Sequence, residues 1–242
     1  MNILAIESSG LVASAAIMND EKLIAEYGMN NKMTHSQTLL PMIDEIVKAA
    51  GMKPSDMDYI AISRGPGSFT GLRIGSATAK GLGLALDRPL VEVPTLEALA
   101  WNLYGCTDAL VCPIMDARRS EVYTGVYRFV SAGNGEIRFE TVMNETAEPL
   151  STLVEHLNSR SDAKQVIFTG DGVPVYAKRL QDEMKIPFSF ASKSAMLQRA
   201  SSVAELAMLY VKQGKTVTAE EHAPVYLRMS QAERERAEKN YD

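Results

Sequence analysis

Cysteine is scarce in this chain of 242 residues, which has only Cys106 and Cys112. Their spacing suits neither a redox pair nor a zinc knuckle, and so few thiols fit a reducing cytosol. A basic excess is also missing: 25 Lys and Arg face 30 Asp and Glu, for a formal net charge of -5. A protein that grips a phosphate backbone unaided draws its affinity from cations, so tight nucleic-acid binding by this chain alone is disfavoured. Histidine is limited to His35, His156 and His222, no two of them near in sequence. A catalytic metal ordinarily needs three protein ligands and an open position, and no pattern here supplies them. Ser8, Ser9 and Ser68 lack a patterned histidine or lysine partner, so a serine-hydrolase reading has no support. No run of about 18 apolar residues marks a membrane span. The opening Met1–Glu7 lacks the basic region, apolar stretch and cleavage site of a signal peptide, and a cytoplasmic protein is expected.

What the sequence does contain is an ordinary globular composition, 46% hydrophobic and 23% charged, enough for a real core. Three short apolar runs, at residues 2–7, 12–18 and 22–29, are divided by turn residues and predict an antiparallel meander. Thr34-His35-Ser36-Gln37 offers a capping box, with Thr34 as N-cap, for a helix running to about Ala50 and stopping at Gly51. A strand at 59–63, a helix at about 74–86, a strand at 90–93 and a helix at about 96–104 follow. From Ala109 the order recurs: strands at 109–115, 121–129 and 136–142, a helix at 150–158 and a strand at 165–169. A helix at 174–184, a strand at 187–190 and a helix at 195–213 complete it. Two consecutive βββαβαβα units form a repeat of pattern without a repeat of sequence. The tail from Ser230 to Asp242 is dense in charge and reads as a solvated end.

The most unusual segment joins a strand to a helix through Ser63-Arg64-Gly65-Pro66-Gly67-Ser68-Phe69-Thr70-Gly71-Leu72-Arg73-Ile74-Gly75. Such a loop before a helix can present N–H groups to an anion, but no Gly-Lys-Ser/Thr closes it as a P-loop would. Beyond it, Gly71, Gly75, Ala79 and Gly83 recur every four residues. Each helical glycine costs up to about 1 kcal/mol against alanine, so close approach of another element is expected to compensate. Leu39, Leu40, Met42, Ile43, Ile46 and Val47 read as apolar over more than one helical face, more than one intradomain surface covers.

This segment, SRGPGSFTGLRIGSATAKGLGLAL, resembles the signature of the TsaB (YeaZ) family. So do ILAIESS at the start, THSQTLLPMID, DARRSEVY at Asp116–Tyr123 and PVYLR at Pro224–Arg228, all in the family's order. One departure is Glu7, where many members carry Asp. The resemblance and the repeat together imply tandem ribonuclease-H-like units, an actin-like ATPase (ASKHA) α/β fold with a reduced second lobe. The implied lobes are 1–101, with about 195–213 returning to it, and 102–194, followed by a tail over 214–242.

The resemblance implies a non-catalytic subunit without cofactor of its own. It acts with a TsaD-like catalyst and a TsaE-like ATPase in threonylcarbamoylation of adenosine next to the anticodon of tRNAs reading codons that start with A. The tRNA is met only through the complex, and a nucleotide at the interface with TsaD is one option. TsaD-type enzymes hold a metal through two histidines three residues apart. After Val93-Pro94 this chain has Thr95 and Leu99 at those positions, so no metal ligands or catalytic residues are expected. His35, Leu39, Met42, Ile43, Ile46, Gly71, Gly75, Ala79 and Leu82 are the expected interface with TsaD or a second copy. On that reading Gly75→Arg or Ile43→Asp leaves a folded protein that no longer pairs. Glu7, Ser8, Ser9 and Asp116 stand where actin-like ATPases place phosphate loops, with Gly170-Asp171-Gly172 as an adenosine-side element. The competing reading is an active actin-like ATPase or a metallopeptidase.

Overall fold

The computed structural model describes residues 1–31, 33–133 and 135–228; the charged stretch Ser230–Asp242 lies outside them. The first half runs β1 (Asn2–Glu7), β2 (Ala13–Asn19), β3 (Leu23–Met29), α1 (His35–Ala49), β4 (Tyr59–Gly65), α2 (Phe69–Leu86), β5 (Leu90–Pro94) and α3 (Thr95–Trp101). The second runs β6 (Leu110–Asp116), β7 (Glu121–Ser131), β8 (Ile137–Pro149), α4 (Leu150–Asn158), β9 (Val166–Thr169), α5 (Gly172–Glu183), β10 (Phe188–Phe190) and α6 (Ala200–Lys212). The two five-stranded sheets have orders β3-β2-β1-β4-β5 and β10-β9-β6-β7-β8. In each, the first three strands pair antiparallel and the last two join in parallel. The second unit is thus a topological copy of the first. Its first two helices are shorter than their counterparts, α4 with 9 residues against 15 in α1 and α5 with 12 against 18 in α2, whereas α6 has 13 against 7 in α3.

Three apolar clusters explain the layering. The outer face of the first sheet is covered by α1 and α2, through Leu39, Ile43, Ile46, Val47 and Ala79 against Leu4, Ile6, Ile60 and Ile62. The second sheet is covered by α4 and α5 in the same way, through Leu153, Leu157, Val173 and Leu180. Between the sheets lie α3 and α6, whose Leu96, Leu99, Trp101, Val203 and Leu206 join residues of both sheets in one cluster. Burying this much aliphatic surface is the dominant favourable term.

The boundaries depart from expectation where side-chain chemistry decides them. Helix α2 begins at Phe69, five residues before the expected Ile74, because Ser68 is its N-cap and accepts from the Gly71 amide at 3.3 Å. Thr34 is the N-cap of α1, yet it makes no capping bond; its hydroxyl faces Ser36 Oγ at 3.1 Å instead. Helix α6 starts at Ala200 rather than Ala195. Residues 195–197 are held in a turn by Asn102, whose amide donates to the carbonyls of Ala195 and Leu197 at 3.2 and 2.8 Å. Strand β8 extends seven residues past the expected 142, to Pro149.

The helical pattern expected for an interface is corrected by burial. Leu39, Met42, Ile43 and Ile46 are between 1% and 4% exposed, on one stripe with Thr38 and Val47 facing the sheet. One 3.6-residue face covers them all, and Leu40, at 56% exposed, is the residue left over. Ile43→Asp is therefore expected to unfold the first unit, at a cost of about 3 kcal/mol or more for a buried unpaired charge, rather than merely dissociate a complex. Leu40→Asp leaves thermal stability nearly unchanged. Urea titration of both variants checks this.

Candidate functional site: the cleft between the two hairpin turns

The turn after β1 is built inward. Glu7, Ser8 and Ser9 are fully buried. Glu7 Oε1 accepts from the Ser9 amide at 2.6 Å and from the Ser9 hydroxyl at 2.5 Å, while the Ser63 hydroxyl faces the same buried carboxyl. Burial raises the Glu7 carboxyl pKa, against the lowering effect of the Ser9 bonds. Ser8 Oγ donates to the Gly71 carbonyl at 2.9 Å, and the Ser9 carbonyl accepts from the Ser68 amide at 2.7 Å. Ser9 thus donates both its N–H and its O–H to Glu7, and this turn does not offer them to a phosphate. His35 joins the same assembly, its Nε2 lying 3.0 Å from the Gly10 carbonyl oxygen.

The small-residue stripe serves this turn. A Cβ at Gly71 would come closer than 3.0 Å to the Ser8 carbonyl oxygen, and one at Gly75 closer than 3.0 Å to Ser8 Oγ. Ala79 is buried in the first-sheet cluster, and Leu82 packs partly buried against it. The stripe lets α2 lie directly on the β1–β2 turn, so Gly71, Gly75 and Ala79 do not form an outward surface.

The equivalent turn after β6 faces solvent. Asp116 Oδ1 accepts from the Arg118 amide and from the Tyr176 hydroxyl, each at 2.9 Å, and Oδ2 pairs with the Arg118 guanidinium at 3.3 Å. Arg118, Arg119 and Ser120 all have positive φ, at 66°, 55° and 61°. Left-handed backbone at three successive non-glycine residues is costly and persists only where surroundings enforce it. Between the two turns lies a cleft of about 290 Å³, lined by Ser9, Gly67, Phe69, Asp116, Arg118 and Asp171 together with Tyr226 and Arg228. Of the four expected loop residues, Ser9 and Asp116 reach this cleft; Glu7 and Ser8 lie beneath it.

Asp171, at the start of α5, has its carboxyl pKa pushed up to about 6, first by burial and further by the neighbouring Asp116 charge; the hydrogen bond it accepts from the Asp116 amide acts the other way. The unfolded chain releases this proton near the ordinary 3.8. The folded form therefore holds more protons between about pH 4 and 6, and the contribution of Asp171 to stability falls as pH rises through that window. Asp171→Asn keeps an oxygen acceptor for the Asp116 amide and removes the penalty. It is expected to raise stability at pH 8 by about 3 kcal/mol, at ~1.4 kcal/mol per pKa unit, and to flatten the pH dependence between pH 4 and 6. Urea unfolding at pH 4, 6 and 8 measures both effects.

Sequence reasoning missed one wall of the cleft. Residues 214–228 follow α6 without regular structure and recross the first unit. Val217 exchanges hydrogen bonds with Leu90 at 2.9 Å each way, His222 Nδ1 meets Glu92 Oε1 at 2.6 Å, and the Val225 amide donates to the Arg64 carbonyl at 2.7 Å. Tyr226 packs on Phe69, ring centroids 4.6 Å apart and planes tilted by 35°, and Arg228 reaches the second unit. The PVYLR match was the available signal, but a motif without periodicity does not say what it touches.

Two sheets of one topology, meeting at a cleft between equivalent hairpin turns, define an actin-like protein of tandem ribonuclease-H-like units. A family profile described as TsaD, tRNA N6-adenosine threonylcarbamoyltransferase, matches residues 17–236. The tRNA threonylcarbamoyladenosine biosynthesis protein TsaB of Bacillus subtilis is 32% identical over 96% of this chain and 96% of its own length. Its namesake in Escherichia coli is 31% identical over 94% and 95%. The solved structure of YeaZ from Pseudomonas aeruginosa superposes with a TM-score of 0.76 at 31% identity, covering 93% of this chain and 99% of that one. The chain belongs to the TsaB (YeaZ) family.

Proposed function

We propose that this chain takes part in threonylcarbamoyladenosine formation in tRNA as the non-catalytic partner of a TsaD-like transferase, which it holds in its competent form. The observation that carries this reading is the start of α3. Where the resemblance places the metal-binding histidines of the catalytic relatives, Thr95 and Leu99 are fully buried, Leu99 within the intersheet core. A hydroxyl and an isobutyl group in such surroundings hold no catalytic metal. His35, His156 and His222 are spread over α1, α4 and the 214–228 segment, and among the described residues no three metal-ligating side chains cluster. The ion-paired carboxylate of Asp116 does not present a free base to the cleft. Any nucleotide at the junction with the transferase would find no phosphate donors at Ser9, whose N–H and O–H are both given to Glu7.

The surface we assign to the transferase, or to a second copy, is the outward side of α1 and α2. There Leu40 on α1 and Leu84 on α2 are 56% and 57% exposed. Exposed apolar groups on neighbouring helices are the usual core of such an interface. In sedimentation with the TsaD-like subunit, wild-type chain is expected to form a complex and Leu40→Asp to weaken it at least tenfold with unchanged thermal stability. Full-strength binding by a Leu40→Asp, Leu84→Asp double variant would place the interface elsewhere.

A further inference from the structure

We infer that Arg228, at the end of the strap formed by residues 214–228, is a positioning residue that clamps the strained turn 118–120 in its cleft-facing conformation. The turn has no glycine to ease its left-handed backbone, and few internal bonds hold it. It holds three L-residues, and the Arg118 and Arg119 side chains are exposed, Arg118 to 87%. Within the turn, the Ala117 amide donates to the Glu121 carbonyl at 3.0 Å and the Glu121 amide to the Arg118 carbonyl at 3.1 Å. Two ties come from outside: the Leu150 amide donates to the Ser120 carbonyl at 3.1 Å, and Arg228 spans the two ends of the turn. Arg228 Nη1 donates to the Ala117 carbonyl at 2.6 Å and pairs with Glu121 Oε2 at 2.6 Å. Ala117 and Glu121 are the residues on either side of the left-handed stretch, so one guanidinium, only 16% exposed, spans its two ends.

The strap is well placed to hold that guanidinium still. Upstream, Lys80 Nζ donates to the carbonyls of Glu220 and His222 at 3.2 and 2.9 Å. The Val225 carbonyl lies against Gly65, where φ is +115° and a Cβ would collide with it. Tyr226 is fixed on Phe69, and Arg73 Nε reaches its hydroxyl at 3.4 Å. The strap is thus anchored on the first unit up to Tyr226 and crosses to the second unit at Arg228. Asp116 accepts from the Arg118 amide, so the conformation of the turn also sets the carboxylate that lines the cleft. The strap, which lines the cleft itself through Tyr226 and Arg228, is therefore also coupled through Arg228 to the turn that carries Asp116.

Exposed arginines at 118 and 119 make the turn its own reporter, because trypsin cleaves after arginine only in a mobile segment. Cleavage after Arg118 and Arg119, followed by mass spectrometry on the full chain, is expected to be slow in the wild type and at least tenfold faster in Arg228→Gln. Glu121→Gln, which keeps the bond to Ala117, should fall between them. Hydrogen exchange of amides 117–122 should accelerate in the same order, with exchange in β1 and β4 unchanged. Leu153→Ala, a core change remote from the strap, serves as control for general loosening of the second unit. If Arg228→Gln cleaves at the wild-type rate, or only as fast as Leu153→Ala with exchange raised throughout, the turn is held by something else.

Discussion

Gly71→Ala is expected to lower the unfolding free energy by about 3 kcal/mol or more, an effect usually reserved for large core deletions. The added methyl would come closer than 3.0 Å to the Ser8 carbonyl oxygen, which is backbone and has no rotamer to retreat into. Relief requires α2 to lift from the β1–β2 turn. That movement breaks the bond from Ser8 Oγ to the Gly71 carbonyl and the bond from the Ser68 amide to the Ser9 carbonyl. It also loosens the Ser9 contacts that satisfy one oxygen of buried Glu7. Gly81, ten residues along the same helix, is the control: it is exposed and a Cβ there meets nothing within 4 Å. Gly81→Ala is expected to stabilise the chain by about 0.5–1 kcal/mol through helix propensity alone. Urea titrations of the two variants should move the midpoint in opposite directions, and a Gly71→Ala midpoint equal to wild type would show that α2 does not rest on this turn.

The same stripe shows how far sequence reasoning reaches. Small residues every four positions do imply close approach, and the helix does approach something closely. The partner is a turn 63 residues earlier in the chain, which periodicity does not name. The meander at residues 2–29 and the recurrence of βββαβαβα were legible because turn residues punctuate each run. Strand β8 was cut short at 142 because Asn144, Glu145, Thr146 and Glu148 are polar, and a half-exposed strand edge of that composition reads as loop. The apolar row of α1 was overread: Leu39 and Leu40 are adjacent, one buried and the other open, and the pattern alone gave them equal weight.

The cleft was half legible. Ser9, Asp116 and Asp171 fall at positions that the fold resemblance singles out. The strained turn escaped because Arg118, Arg119 and Ser120 carry no glycine to announce left-handed backbone. The strap escaped because its contacts join residues more than 100 positions apart, Arg228 to Ala117 and His222 to Glu92.

The central claim is that this chain is required for the modification while contributing no bond-making residue. The most direct measurement is reconstitution with a TsaD-like transferase, a TsaE-like ATPase, a TsaC-type enzyme (to supply the activated threonylcarbamoyl-adenylate), ATP, threonine, bicarbonate and unmodified tRNA, followed by nucleoside mass spectrometry. Leaving the chain out should reduce threonylcarbamoyladenosine to background, and adding it back should restore the full yield. Asp171→Asn, which stabilises the cleft wall while removing its raised carboxyl, should restore it equally, because a supporting subunit needs its shape and not a proton carrier. Full yield in the absence of the chain, or product made by the chain without the transferase, would contradict the account.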